Sequence, residues 1–311
     1  MSENGVPPFG TSRWPASPGR LVGVINEHIN RFHHTGVKGD LDALAAKYRS
    51  FGFLLTPRSR HLMSERPGAA PTLGCTANEC AVFGDSYIEL FGVVDPAAPD
   101  PWHAKTLADG FWILNLDTDD PAADSARLAA AGLPASGVHE LARDVDTEAG
   151  VRTMRARTVH IDPHSTPEGL LGLSQHRTPE YVHQQRYLGH PNGARGIAAV
   201  TTVVADDRFD EVVDRYRRII AAEPVLEGPV TVLAHKEIRM EFVRASAAGE
   251  ALPGEPAPRA SYFAAMTIRV DAPDRARRLV ESAGTQTRSL PDGFSVSARD
   301  AYGACLRFVS C

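Results

Sequence analysis

Long apolar runs are missing from this chain. No stretch approaches the roughly 20 residues that a helix needs to span a bilayer, so a helical membrane protein is excluded as a reading. Charge of one sign is missing too. The 33 Lys and Arg stand against 38 Asp and Glu, a net charge of -5 with a pI near 6.2. Such a balance gives no basic field to draw a phosphate backbone, so nucleic acid is not an expected partner. Cysteine is scarce. The four present, Cys75, Cys80, Cys305 and Cys311, show no metal-knuckle spacing and read as free thiols of a cytoplasmic chain. The first 20 residues carry Pro, Gly and Ser where a signal peptide carries an apolar core. They read as a flexible tail, and the protein as cytoplasmic. A Walker loop, a dinucleotide glycine fingerprint behind a strand and a GxSxG elbow are absent as well, which removes the commonest nucleotide and serine-hydrolase readings.

What is present is a weak internal repeat. The first unit reads as an extended run (VGVINEHINRF), a helix (DLDALAAKYRSFG) and three further runs (FLLTPRSRHL, NECAVF, SYIELFGVV). A second begins at GFWILNLDT with the helix DPAADSARLAAAG, and continues through VHELARDVD, VRTMRARTVHID and EGLLGLSQH. A third starts at IAAVTTVVA with the helix RFDEVVDRYRRIIAA, and a fourth at YFAAMTIRV with the helix APDRARRLVESAG. Each helix opens beside an Asp suited to capping, and three end near Gly52, Gly132 or Gly284. Leu41, Leu44, Ala45 and Tyr48 recur at helical spacing, as do Val212, Val213, Tyr216 and Ile219. The flanking runs are short and partly alternating, as half-buried strands are.

The repeat predicts an α+β protein of four tandem βαβββ modules, paired into two domains, each a curved mixed sheet around a cleft. The expected boundaries are a tail over 1–20, a first domain over 21–177, a linker over 178–196 and a second domain over 197–311. Within the first unit, strand alternation sends Tyr87, Glu89 and Phe91 one way and Ile88 and Leu90 the other. Ile88 and Leu90 suit the face under the helix. Glu89 then faces the cleft, where a carboxylate needs a compensating partner, either a cation or an arginine.

The pattern resembles the vicinal oxygen chelate superfamily, and the first half looks most like its glyoxalase-like branch. The residues that carry the likeness are EHI at Glu27 to Ile29, FLLTPRSRH ending at His61, GCTAN at Gly74 to Asn78, DSYIEL at Asp85 to Leu90, QHRTPE at Gln175 to Glu180 and HPNGARGI at His190 to Ile197. The resemblance implies a metal ligand on the first and last strand of a unit, which falls on His28 and Glu89. The second unit departs from that pattern: Trp112, Ile113 and Leu114 stand where another histidine is expected, and Gly172 aligns with Glu89. His176 shares a strand face with Gly172 and supplies a third ligand instead, with His160 as a second option. Two histidines and a carboxylate suit Fe(II), Mn(II), Ni(II) or Zn(II). Glu89 and His176 are the expected catalytic groups, and His61, Asn78, Tyr87, Phe91 and Trp112 the expected substrate contacts.

Other clusters are thinner. His33 and His34 read as a solvated turn before Gly36. Arg58, Arg60 and His61 form a positive cluster that could hold a substrate carboxylate or phosphate. Ala199 and Ala265 leave the second half without a first-strand histidine, and Glu241 with Arg307 reads there as an ion pair. The implied activity is metal-assisted lyase, isomerase or dioxygenase chemistry on a small oxygenated metabolite. The rival is a metal-free protein that binds or sequesters a small molecule. The expected partners are that small molecule and, optionally, a second copy of the chain, with no membrane.

Overall fold

The computed structural model describes residues 26–311, and the tail read over residues 1–20 lies outside them. Module one is β1 (Ile29–Lys38), α1 (Leu41–Ser50), β2 (Ser59–Met63), β3 (Thr72–Val82) and β4 (Tyr87–Val93). Module two is β5 (Gly110–Thr118), α2 (Pro121–Ala130), β6 (His139–Thr147), β7 (Gly150–His160) and β8 (Leu170–His176). Module three is β9 (Ala194–Val204), α3 (Phe209–Ile220), β10 (Val225–Glu227), β11 (Val230–His235) and β12 (Ile238–Arg244). A short helix, α4 (Ala248–Ala251), precedes module four: β13 (Tyr262–Val270), α5 (Pro273–Ser282), β14 (Thr287–Leu290), β15 (Gly293–Val296) and β16 (Cys305–Ser310). No helix among the described residues is long and apolar enough to cross a membrane.

Local chemistry sets the helices. Asp40 accepts a hydrogen bond from the Ala43 N–H, and Asp120 from those of Ala122 and Ala123, so two orphan helix starts are capped as the sequence predicts. On α1, Leu41, Leu44, Ala45 and Tyr48 are buried, one face of a 3.6-residue period. That face lies on the strands of its own module, over Ile88 and Leu90, within one continuous apolar core.

The fold is α+β, with the modules paired as expected. Modules one and two form a sheet in the order β1-β4-β3-β2-β6-β7-β8-β5, and the final β5 returns to β1. The sheet is therefore a closed barrel rather than an open curved cleft. Modules three and four form an eight-stranded sheet in the order β10-β11-β12-β9-β13-β16-β15-β14, which stays open. The two sheets meet back to back: Thr35 of β1 reaches the Met266 sulfur of β13 at 3.7 Å, and Phe111 of β5 packs on Phe263 with ring centroids 5.3 Å apart. Helix ends complete the join. Arg127 of α2 donates to the last carbonyls of α3, at Arg218 and Ile219, while Arg218 donates back to Ala131.

The corresponding face of the second sheet is covered. The spacer after β12 folds back, and Leu252 joins Val203, Val243, Tyr262 and Ala264 in an apolar cluster, with Ala247, Ala248 and Ala251 packed against it. Glu241 is tied to Arg239 and Thr201 and lies 3.6 Å from Arg307. The chain thus plugs its own second cleft, and the first barrel is left as the place for a ligand.

Candidate functional site

The barrel encloses a cavity of about 570 Å³, lined on much of its wall by Met63, Leu141, Met154 and Leu171. Eight of the chain's 12 histidines line it as well. Glu89, on β4 opposite Gly36 of β1, is the buried carboxylate on its wall, 4% exposed.

Glu89 is held on one side and open on the other. Its Oε1 lies 2.9 Å from His61 Nε2 and accepts from Asn78 Nδ2 at 2.6 Å. Its Oε2 accepts no hydrogen bond among the described residues and stands 3.7 Å from His34 Nε2. Burial opposes the charge on Glu89, yet the polar groups around it, the Asn78 amide that donates to Oε1 among them, outweigh burial and hold the carboxyl down at about 2. His34 behaves oppositely. Burial pulls it down to about 4 in spite of Glu89, so at neutral pH an ionised carboxylate faces a neutral imidazole.

The outer contacts fix these groups in place. His61 Nδ1 lies 2.8 Å from Thr76 Oγ1, Asn115 Nδ2 lies 2.9 Å from His34 Nε2, and His34 stacks on Tyr87 with 4.7 Å between centroids. Arg143, 3% exposed, donates to Asn78 Oδ1 at 3.2 Å. Trp102 packs on His61 and His160, with centroids 5.7 and 5.9 Å away.

Two neighbours on one strand should point to opposite faces, yet His33 and His34 both reach the cavity. The cause is an irregularity in β1: Phe32 pairs with Leu116 and His34 with Asn115, so His33 is the extra residue of a bulge. Its Nδ1 sits 2.7 Å from His34 Nδ1. The solvated turn read at His33 and His34 is thus corrected, since both side chains are buried in a strand.

Several other expected positions move. His28 precedes β1 and is absent from the cavity wall; its carbonyl accepts from Asn30 and from the Asp119 N–H. The apolar residues before it drew the strand too early, and His34, six positions on, occupies the place foreseen for it. His176 lines the cavity but packs on His33, Tyr87 and His183, at 4.2, 5.8 and 5.4 Å, rather than on Glu89. Phe91 sits behind the wall with Ala104 and Ile113. Trp112 donates to the Ala108 carbonyl and carries Arg259 over its ring at 3.9 Å, away from the cavity. His61, Asn78 and Tyr87 do line it, and so does His160. The positive cluster dissolves: Arg58 pairs with Asp42 and Glu79, Arg60 with Asp95, and only His61 turns inward. His34, Asn115, Arg143 and Trp102 were not foreseen, and for Arg143 and Trp102 no local pattern marked them.

Gly172, the sequence counterpart of Glu89, has a spatial reason. A Cβ there would stand 2.1 Å from Asn115 Oδ1, so the amide fills the space a larger residue would need. Gly172→Ala is expected to push Asn115 off His34, with a stability loss of about 1–3 kcal/mol from overpacking. In histidine-labelled NMR spectra the His34 ring signal should move more than that of His61. An unmoved His34 signal in folded Gly172→Ala protein contradicts this.

The residues expected to bind metal, His28, Glu89 and His176, do not converge, and among the described residues no three His, Cys, Asp or Glu side chains are grouped to hold an ion. Glu89 with His34 and His61 comes nearest. There the Asn78 amide lies against the lone pairs a cation would need, 2.6 Å from Oε1 and 2.8 Å from Nε2. This arrangement does not fit a metal centre.

Comparison with known proteins adds three facts about likeness. A family model described as "Glyoxalase-like domain" matches residues 32–220. No curated protein matches the chain. Among solved structures, a hypothetical protein from Staphylococcus aureus superposes with a TM-score of 0.61 at 15% identity, covering 90% of this chain and 99% of its own. A variant of 4-hydroxymandelate synthase from Streptomyces coelicolor gives 0.55 at 9% identity, covering 91% and 93%. A xylose isomerase-like TIM barrel/4-hydroxyphenylpyruvate dioxygenase fusion protein gives 0.52 at 14% identity, covering 85% of this chain and 40% of its own. At these identities the structures share the fold.

Proposed function

This chain belongs to the glyoxalase-like domain family of the vicinal oxygen chelate superfamily, and from that premise we propose an enzyme that moves a proton on a small, largely apolar oxygenated metabolite held in the first barrel. One observation carries the reading. The Oε2 of Glu89 accepts no hydrogen bond among the described residues, and the neutral His34 Nε2 stands 3.7 Å from it. That gap is too long for a direct hydrogen bond and suits a substrate hydroxyl or enol proton between the two.

The roles follow from the chemistry of each group. Glu89, kept ionised, accepts from the substrate O–H and orients it. His34 accepts the proton from the carbon beside the carbonyl as the Asn115 amide gives way at Nε2, the electron pair left behind passes into the enolate, and the Glu89 charge stabilises the imidazolium that forms. Trp102 and the apolar wall exclude water from the reacting carbon. Isomerisation and elimination need only such a base, whose imidazolium then returns the proton to carbon or to the leaving group, so they are the members of the family's repertoire these groups serve. The metal-assisted route with Fe, Mn, Ni or Zn would need Glu89, His61 and His34 as ligands, and the Asn78 amide stands against it. No step is drawn through an ion.

The test is proton exchange at carbon. Incubated in heavy water with a panel of apolar α-hydroxy ketones, the protein should catalyse exchange of the proton next to the carbonyl. Glu89→Gln should slow this by about 100-fold or more, the usual weight of one preorganised electrostatic group. A second reading, sequestration, draws on the fact that both nitrogens of His61 and of His34 already have neighbours within the protein. Ligands that bind with wild-type affinity yet never exchange a proton or react would replace the enzyme reading with that one.

A further inference from the structure

Three polar atoms meet beside Glu89: Asn78 Nδ2, His61 Nε2 and Glu89 Oε1, separated by 2.6, 2.8 and 2.9 Å. Which end of the Asn78 amide faces this triangle is settled by its other end. Arg143 has donors only, so the atom it bonds at 3.2 Å must be the oxygen. The amide nitrogen, also a donor only, then faces Glu89 and His61. A lone pair on His61 Nε2 receives it, and the His61 proton sits on Nδ1 against Thr76 Oγ1 at 2.8 Å. These hydrogens are assigned from the network of partners.

Two lone-pair atoms 2.9 Å apart, one of them anionic, need positive charge against both. In a metal site an ion supplies it, and neighbouring ligand atoms at about 2.0–2.2 Å from one ion lie about 3 Å apart in octahedral and about 3.4 Å apart in tetrahedral geometry. Here the two N–H groups of Asn78 supply it. Arg143 is buried and makes no ion pair among the described residues, and its hydrogen bond is to Asn78. We infer that Arg143 is a positioning residue that locks the Asn78 amide nitrogen onto Glu89 and His61, so that Asn78 takes the place of a metal ion in this barrel. Freed of Arg143, the amide can turn and offer its oxygen, which is a metal ligand, to the same spot. The inference rests on the reading that Glu89 and His61 belong to the working site, but it concerns their affinity for cations and not the reaction.

The experiment is a calorimetric titration of the untagged full chain with Zn²⁺ and with Mn²⁺. Wild-type protein should show no site that Glu89→Gln abolishes. Asn78→Asp, nearly the same shape but with a carboxylate oxygen in place of the amide nitrogen, should gain one Glu89-dependent equivalent of Zn²⁺. Its affinity should exceed that of wild type by about 10–100-fold, the range over which groups around a metal tune its binding. Arg143→Met should gain in the same direction, and Arg143→Lys, which keeps a donor for the Asn78 oxygen, should stay at wild-type level. If Arg143→Met does not fold by circular dichroism, Asn78→Asp alone decides. Micromolar Zn²⁺ or Mn²⁺ binding by wild type that Glu89→Gln removes overturns the inference, as does a folded Asn78→Asp protein with no gain. Loss or survival of proton exchange is read separately, so failure here does not count against the proposed reaction, nor the reverse.

Discussion

Between pH 6.5 and 4.5 the protein should lose most of its stability, with uptake of about four protons on unfolding. His33, His34, His160 and His176 are all driven down by burial, His34 and His160 to about 4. The sign is fixed by comparing the two states. Above the ordinary value of 6.5, folded and unfolded chains both carry these rings neutral, and pH has no grip on them. Below it the unfolded chain binds protons that the folded barrel refuses until its own lower values are reached. Each ring then costs about 1.4 kcal/mol per pH unit, and four together about 5 kcal/mol per unit. That is comparable with the whole stability of an ordinary domain, about 5–15 kcal/mol. Glu89 extends the loss: its depressed carboxyl gives stability that is complete above 4.5 and fades as pH falls toward about 2. Urea unfolding followed at half-unit steps from pH 8 to 4 measures the slope directly. His176→Phe should reduce that slope by about one proton. A flat profile from 6.5 to 4.5 would mean these rings reach water in the native state.

The second large effect concerns a buried ion pair between the two sheets. Glu168, just ahead of β8 and fully buried, takes Arg215 of α3 at 2.5 Å and the Tyr216 hydroxyl at 2.9 Å. Its carbonyl also receives Arg259 and the Phe263 N–H. Glu168→Ala is expected to destabilise by about 3–5 kcal/mol, because it strands a buried guanidinium without a counter-charge. For domains of this size that lowers the melting temperature by about 10 °C. Removing both charges, in Glu168→Leu with Arg215→Met, should recover most of the loss, since the desolvation cost of the pair goes with it. Differential scanning calorimetry of the three variants is the check. A single substitution costing under about 1 kcal/mol would show that the pair is solvated, as exposed pairs are.

Much of the barrel was legible in local pattern. The runs GFWILNLDT and YFAAMTIRV coincide with β5 and β13, because each is a stretch of strand-forming residues closed off by turn chemistry on both sides. Alternation put Ile88 and Leu90 under α1 and turned Glu89 inward, where it lies at 4% exposure. Tyr87 followed by the same rule. Phe91 obeyed the alternation but missed the cavity, because Ala104 and Ile113 close over it there. Whether an inward residue meets a ligand or a neighbour depends on a segment that is remote in sequence.

By itself, then, the sequence determined the modules, their pairing, the caps of α1 and α2 and the inward carboxylate, while α3 and α5 start without the side-chain cap expected of them. All of these depend on periods of 2 and 3.6 residues and on side chains that bond their own backbone, information carried within a few positions of each residue. Only the tertiary structure decided which histidines join Glu89. His34 replaces His28 because pairing with β5 and β4 sets where β1 begins, and His33 turns inward because that pairing holds a bulge. Arg143 reaches Asn78 only because β2 meets β6 to close the barrel, which brings residues 65 positions apart into one hydrogen bond. Closure and register are set by contacts between distant strands, and no local period encodes them.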